Sequence, residues 1–251
     1  MEKISAVIIT CNEEKNITRC IQSLLPVVDE IIVSDSYSTD KTCEIAQKLG
    51  AKVYTNQFIG YGATKNNAHQ YTAFNWILSI DADEELDKEL QQSIQHVKLL
   101  LNNNSAYRVK RLNNYCGKWI KHGGWNPDKK IRLFNKTTVK WNLAEVHETL
   151  ELPETTQIVE LKGKLLHYSY RTIQEHKNKM ERYSTRGAEE LAKKRKKHSL
   201  LKQYASPLVR FIRDYIIRLG FLDGYYGYII AKYTAIEVSM KYRKLKSLIK
   251  Q

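Results

Sequence analysis

Three short runs in the first hundred residues carry side chains that could do chemistry. They are Thr10-Cys-Asn-Glu-Glu14, Asp35-Ser-Tyr-Ser-Thr-Asp40 and Asp81-Ala-Asp83, the last followed by Glu84 and Glu85. Asp81 and Asp83 are hard oxygen donors two residues apart. Such a pair suits Mg²⁺ or Mn²⁺, which takes a few carboxylates and completes its shell with phosphate oxygens. Each run also has a plainer explanation. An Asp-x-Asp in an ordinary loop is commonly solvated surface, and Thr10, Asn12, Ser38 or Asp40 could simply cap a helix.

Their placement speaks for chemistry. Each run directly follows a segment that reads as a buried strand. Ile4–Thr10 is apolar and β-branched, Glu30–Ser34 repeats the pattern, Ala51–Thr55 gives a third strand, and Asn75–Ile80 a fourth. Between them the spacing predicts helices. Lys15–Leu25 puts Ile17, Cys20, Ile21, Leu24 and Leu25 on one face before Pro26 stops it, and Cys43–Leu49 ends at Gly50. Gly62–Tyr71 and Asp87–Leu101 follow, the latter with Leu90, Ile94, Val97 and Leu101 at helical spacing. Alternating strands and helices predict an α/β fold whose parallel sheet is covered on both faces. Such sheets bind ligands beyond the carboxyl ends of their strands. The sequence has no GxxxxGK[ST] loop and no GxGxxG fingerprint, which argues against P-loop and dinucleotide chemistry. A metal-bound diphosphate at a sheet edge without a glycine-rich loop points to a nucleotide-sugar site.

The texture changes after Ala106. Short β-like pieces (Tyr107–Leu112, Lys130–Phe134, Val139–Trp141, Ile158–Leu161, Lys164–His167) alternate with polar loops, and from Thr172 the pattern is helical. Thr172–Lys197 ends in Lys193-Lys-Arg-Lys-Lys197, and Pro207–Leu219 and Phe221–Leu248 are rich in Tyr, Ile, Arg and Lys. Charge follows the same division. Residues 1–100 hold 9 Lys+Arg against 14 Asp+Glu, while residues 101–251 hold 32 against 13. The basic half is suited to an anionic partner: nucleic acid, an acidic membrane surface or a phosphorylated substrate. Pro207–Leu219 places Leu208, Phe211, Ile212, Tyr215, Ile216 and Leu219 on one side. That is a basic amphipathic helix, which either packs on the catalytic domain or lies in a membrane interface. Leu219–Met240 is broken by Asp223, Lys232 and Glu237, so no transmembrane span is expected. The 251 residues, 42% hydrophobic and 27% charged, can bury a proper core, which excludes a disordered chain or a disulfide scaffold. Cys11, Cys20, Cys43 and Cys116 form no CxxC pair, and no signal peptide is read at the N-terminus. Reduced thiols in a cytoplasmic setting are expected.

The succession T-x-N-E-E, D-S-x-S-T-D, Lys65-Asn66 and D-x-D resembles the family 2 glycosyltransferases of the GT-A fold. The later stretch carries Gly123-Gly-Trp-Asn-Pro-Asp128, Arg132-Leu-Phe134, Trp141, Val146-His-Glu148, His167-Tyr168 and Gly220-Phe-Leu-Asp-Gly224. With these it resembles the β-1,4-glucosyltransferases that extend the inner core of bacterial lipopolysaccharide. The resemblance implies a Rossmann-like, mostly parallel GT-A domain over residues 1–170, with a nucleotide-sugar half (1–100) and an acceptor half (101–170). A basic helical extension occupies 171–251. It also implies an inverting single displacement from a UDP-sugar, UDP-glucose in that subfamily, to a phosphorylated glycolipid, at a heptose. Thr10, Asn12, Glu13, Glu14, Asp35, Ser36, Lys65, Asp81 and Ala82 would line the nucleotide-sugar, with Asp35 accepting from the uracil N–H. Asp83, Asp81 and His167 would hold Mg²⁺ or Mn²⁺. Glu148 would be the general base, with Asp128 and Glu145 as rivals. Glu148 could instead pair with Arg132, and His167 could be a hydrogen-bonded structural residue. Gly123-Gly124 could let backbone approach the sugar closely or be a plain turn, and Trp125 and Trp141 could pack in the core or stack on sugars. The implied setting is cytoplasmic, peripheral on the inner face of the bacterial inner membrane.

Three other readings remain. One keeps the glycosyltransferase and changes the acceptor to another envelope polysaccharide or glycolipid. A nucleic-acid-binding protein would use the helices of 171–251, but no nucleic-acid motif is present and the acidic strand-end runs would go unexplained. Nucleotidyl transfer would ask for a basic, glycine-rich loop after the first strand, and Thr10-Cys-Asn-Glu-Glu14 is the opposite.

Overall fold

In the computed structural model, which describes residues 2–143, 148–195 and 199–249, the apolar runs become buried strands. Ile4–Thr10 (β1), Glu30–Asp35 (β2), Lys52–Thr55 (β3) and Trp76–Asp81 (β4) pair in parallel in the order β3-β2-β1-β4. Side chains of a strand alternate between faces, and here each face has its own apolar layer. Ile4, Ile8, Val33 and Leu78 lie on one side with Ile17, Ile21, Leu90 and Ile94, whereas Val7, Ile32 and Ile77 lie on the other with Ala68, Phe134 and Trp141. The first layer is covered by Ile17–Leu24 (α1) and Lys88–Val97 (α4). Thr42–Lys48 (α2) links β2 to β3, and Tyr61–Ala68 (α3) precedes a 3₁₀ turn at His69–Tyr71. Asp87 caps α4, its carboxylate accepting from the Leu90 N–H at 2.8 Å.

Beyond β4 the sheet continues. Glu84–Leu86 (β5), Ser105–Tyr115 (β6), Lys118–Ile120 (β7), Asp128–Asn135 (β8) and Gln157–Tyr170 (β11) extend it in the order β4-β8-β6-β11-β5, with β7 paired to β6. Lys140–Trp141 (β9) and Leu150–Glu151 (β10) form a separate antiparallel ladder. The result is an α/β fold with a mixed sheet and flanking helices. Two expectations change. The pieces at 158–161 and 164–167 are one strand of 14 residues. Gly163, at φ +87°, sits within it because a side chain there would fall on the Leu90 backbone at the start of α4. And β5 was not foreseen.

The chain divides into two compact units, Met1–Arg111 with Lys129–His167, and Leu112–Asp128 with Tyr168–Gln251. The second holds Ile173–Lys193 (α5), Leu200–Ile212 (α6), a π-helical turn at Arg213–Ile217, a 3₁₀ turn at Gly220–Asp223, and Gly224–Ile249 (α7). The helix expected to open at Pro207 opens at Leu200. Ser199 caps it, its hydroxyl accepting from the Lys202 N–H at 3.4 Å, and Pro207 lies inside. The core of this unit is aromatic. Tyr115, wholly buried, meets Trp125, Tyr170, His176 and Tyr226 at ring separations of 5.4–5.7 Å.

Candidate active site

The first two polar runs meet at the carboxyl ends of β1 and β2, where they lace two loops together. Asn12, at φ +56°, accepts from the Thr39 N–H at 2.8 Å, and its own N–H donates to Ser38 Oγ at 2.8 Å. The Glu13 N–H donates to Thr42 Oγ1 at 2.8 Å, and the Glu14 N–H to Asp40 Oδ2 at 3.2 Å. Glu14 Oε2 accepts from the Lys41 N–H at 3.2 Å, while the Ser36 N–H donates to the Thr10 carbonyl at 2.8 Å. Asp35, 1% exposed, accepts from both the N–H and the hydroxyl of Ser38. Much of the polarity read as ligand-binding therefore shapes the loops. Thr10 differs: its hydroxyl is buried and has no partner among the described residues. A buried hydroxyl without a partner costs free energy, so it invites a ligand group.

At the end of β4 the third run meets charges from distant parts of the chain. Lys65, on α3 and 3% exposed, lies 3.3 Å from Asp81 Oδ1 and 3.2 Å from Glu148 Oε1. Its ammonium stands 4.5 Å above the centre of the Trp141 ring. The neighbouring Asn66 secures that ring's backbone, donating to the Trp141 carbonyl at 2.7 Å and accepting from its N–H at 2.9 Å. Arg132, on β8, donates to Asp81 Oδ2 at 2.8 Å and Glu84 Oε1 at 2.5 Å, and Arg111 reaches Glu84 at 3.2 Å. Glu84 also accepts from the Asp81 N–H at 3.0 Å. Burial alone would raise the Asp81 carboxyl pKa. Arg132, Lys65 and Arg111 outweigh it and hold the group well below the usual carboxylate range. Burial would likewise favour the neutral form of Arg132, but Asp81 and Glu84 raise its pKa instead.

Glu148 thus pairs with Lys65, and Arg132 with Asp81 and Glu84. Glu84 and Arg111 were missed as members of this cluster. One signal was available: Arg132 interrupts the apolar strand Ile131-Arg-Leu-Phe134, and a buried arginine there demands an anion.

Asp83 lies on the other side of Ala82. Its Oδ2 is 3.2 Å from His167 Nε2. The strand β5 sets this up: it runs antiparallel to β11 with His167 opposite Glu84, the residue after Asp83. A carboxylate oxygen and an imidazole nitrogen converging in this way fit Mg²⁺ or Mn²⁺. Among the described residues no group of three His, Cys, Asp or Glu side chains could hold a metal by itself. The donor set fits a metal that shares its shell with substrate oxygens, and Asp81, held by two cations, faces different partners.

Asp128, the first residue of β8, belongs to the C-terminal unit. Glu145 and His147 lie outside the described residues. Trp125 packs against Tyr115 and Tyr170, and Trp141 against Phe134 beneath Lys65. Gly124 approaches Asp214 so closely that a side chain at 124 would strike the carboxylate. The Asp223 carboxylate accepts from the Lys121 and His122 N–H groups at 3.1 and 2.7 Å. A side chain at Gly123 would meet Gly220 Cα at 3.5 Å, so the Gly123–Asp128 and Gly220–Gly224 motifs touch within one unit.

The family model for glycosyl transferase family 2 matches residues 5–147. The chain belongs to that family. A glycosyltransferase of Rickettsia typhi described as uncharacterized is 34% identical over 257 residues, covering 99% of this chain and 88% of the relative. The lipopolysaccharide core biosynthesis glycosyltransferase LpsC of Rhizobium meliloti is 27% identical, covering 95% and 93%. Among solved structures, glucosyl-3-phosphoglycerate synthase from Mycobacterium tuberculosis, in complex with Mn²⁺, UDP and glucosyl-3-phosphoglycerate, is 28% identical. It covers 45% of this chain and 44% of that one, with a TM-score of 0.38. Family 2 membership makes the chain a glycosyltransferase and leaves the nucleic-acid reading of its basic half without support.

Proposed function

We propose that this glycosyltransferase moves glucose from UDP-glucose to a heptose of a lipopolysaccharide inner-core acceptor, with inversion and with Mg²⁺ or Mn²⁺. The observation that carries the reading is the bridge Asp81–Lys65–Glu148 at the carboxyl end of β4, with contacts of 3.3 and 3.2 Å. It brings the donor-side acid Asp81 and the candidate base to one cation, although Lys65 and Glu148 are 83 residues apart. The acceptor class is supported by the similarity to LpsC along nearly the whole chain.

In this reading residues 1–100 hold the donor and 101–170 meet the acceptor. Thr10 offers its buried hydroxyl to the nucleotide, and Asp35 accepts from the uracil N–H. Asn12, Glu13, Glu14 and Ser36 keep the two loops in the shape that receives it. Lys65, Asp81 and Ala82 form the floor below the diphosphate and sugar. Asp83 and His167 would hold the metal, which when bound neutralises the leaving diphosphate. Glu148 takes the proton from the acceptor hydroxyl as its oxygen bonds to the anomeric carbon and the bond to the diphosphate breaks. Lys65 fixes the Glu148 carboxylate for that transfer, and Asp128 is the rival base. The acceptor would be met at the cytoplasmic face of the inner membrane. Among the described residues no helix is long and apolar enough to cross a membrane.

Calorimetry with UDP-glucose, UDP-galactose, UDP-N-acetylglucosamine and GDP-mannose, with Mn²⁺ or with chelator, tests the reading. UDP-glucose is expected to bind in a metal-dependent way, and Asp83→Ala to weaken that binding by about tenfold or more while leaving the fold intact. Equal binding in chelator would remove the metal from the mechanism, and no binding of any donor would remove the donor assignment.

A further inference from the structure

The C-terminal unit carries apolar surface that its own core does not use. Half of the exposed large apolar residues among those described fall within residues 200–228. Leu201, Tyr204, Leu208, Ile212 and Ile216 recur every three or four positions, so they share one side of α6 and its π-helical continuation. That side is open to solvent, with Leu201 75% and Leu208 61% exposed, and Ile217 beside it is 70% exposed. Facing the unit, Phe211 and Tyr215 pack on Tyr228 of α7, and polar groups complete the contact. Gln203 and Asp214 are buried, and Asp214 is bound by Arg210 at 2.5 Å and Arg213 at 2.8 Å. A helix already packed through Phe211, Tyr215, Gln203 and Asp214 that keeps a second, continuous apolar side in solvent is built to be covered by something apolar.

Charge narrows what covers it. Residues 200–228 contain two acids, Asp214 and Asp223. Both are buried and bonded within the unit, at 2% and 3% exposure. Lys202 and Arg218 are exposed. The face therefore offers apolar side chains and positive charge, with no exposed carboxylate. That combination complements the headgroup region of an anionic bilayer, where an in-plane helix buries its apolar side and its cations meet lipid phosphates.

We infer that the outward face of α6 and its continuation is an in-plane docking surface for a bilayer containing anionic phospholipid. This deepens the reading of a glycolipid acceptor and takes its purpose from it, but the docking itself needs neither donor nor acceptor. Flotation of the full chain with vesicles of phosphatidylcholine and phosphatidylglycerol tests it. The protein is expected to float with these vesicles, and about tenfold less with phosphatidylcholine alone. Combining Leu201→Ser, Leu208→Ser and Ile217→Ser is expected to cut partition by about tenfold or more, with circular dichroism and UDP-glucose affinity unchanged. No flotation of the wild-type chain, or equal flotation of the triple variant, would overturn the inference. So would a dimer in sedimentation velocity that the triple substitution dissolves, because the face would then belong to a second copy. Vesicle binding that persists where no UDP-sugar binds would support the docking and count against the reaction.

Discussion

The end of β4 and the aromatic core of the C-terminal unit both bury polar groups, by opposite means. At β4 six ionisable side chains, Lys65, Asp81, Glu84, Arg111, Arg132 and Glu148, meet at 2.5–3.3 Å. Around Tyr115 the polar groups are few: the Tyr115 hydroxyl lies 2.9 Å from His176 Nδ1 within a ring of aromatics. Desolvation offsets most of what a buried ion pair contributes to stability, whereas aromatic packing contributes its full apolar burial and more. The contrast separates two purposes. In the proposed reading the charges at the sheet edge serve the donor and the base, while the aromatic core holds its unit together. Substitutions in the two places should therefore fail in different assays.

The largest effect is expected at Glu148. Glu148→Gln keeps the size of the side chain and removes the base. We expect kcat to fall by about a thousandfold, with UDP-glucose affinity and melting temperature near those of the wild type. Loss of donor binding together with turnover would withdraw the base assignment and turn attention to Asp128. Gly227→Ala should do the reverse. A side chain there would fall on the Gly220 carbonyl oxygen and lie 3.1 Å from Asp223 Cβ. Stability to urea should drop by about 3 kcal/mol, while donor affinity of the folded fraction is unchanged. If both variants lost the same function, the division of purpose would be wrong.

How much of this was legible in the sequence follows from the range of the interactions. The strands β1, β2 and β4 could be read because each is a continuous apolar, β-branched run, and that local pattern suffices for a strand buried on both faces. The short β5, Glu-Glu-Leu, has no such pattern and exists only through its pairing with β11. Gly163 made one strand look like two, and Pro207 hid the first half of α6. The acidic runs announced a site, and Lys65, Asp83, Glu148 and His167 were all named. The pairings of Lys65 with Glu148 and of Arg132 with Glu84 were not legible, because these contacts join residues 83 and 48 apart. No spacing rule reaches that far.

The smallest effect returns to buried polar groups and uses one histidine from each unit. Burial pushes the His69 imidazole down to about 4, helped by Lys136 and Lys65. Burial, with Lys179, pushes His176 down to about 4 as well. Both rings take a proton near 6.5 in the unfolded chain, so between pH 6.5 and 4 the unfolded state binds protons that the folded state excludes. Stability is then complete above pH 6.5 and declines as pH falls, by about 2 kcal/mol per histidine at pH 5. His176→Phe keeps a flat ring in the aromatic core and removes its share of the decline. Urea unfolding at pH 7 and pH 5 should show the variant losing about 2 kcal/mol less than the wild type between the two conditions. If the decline is unchanged, His176 is not buried neutral, and the aromatic core tolerates charge as the strand-end cluster does.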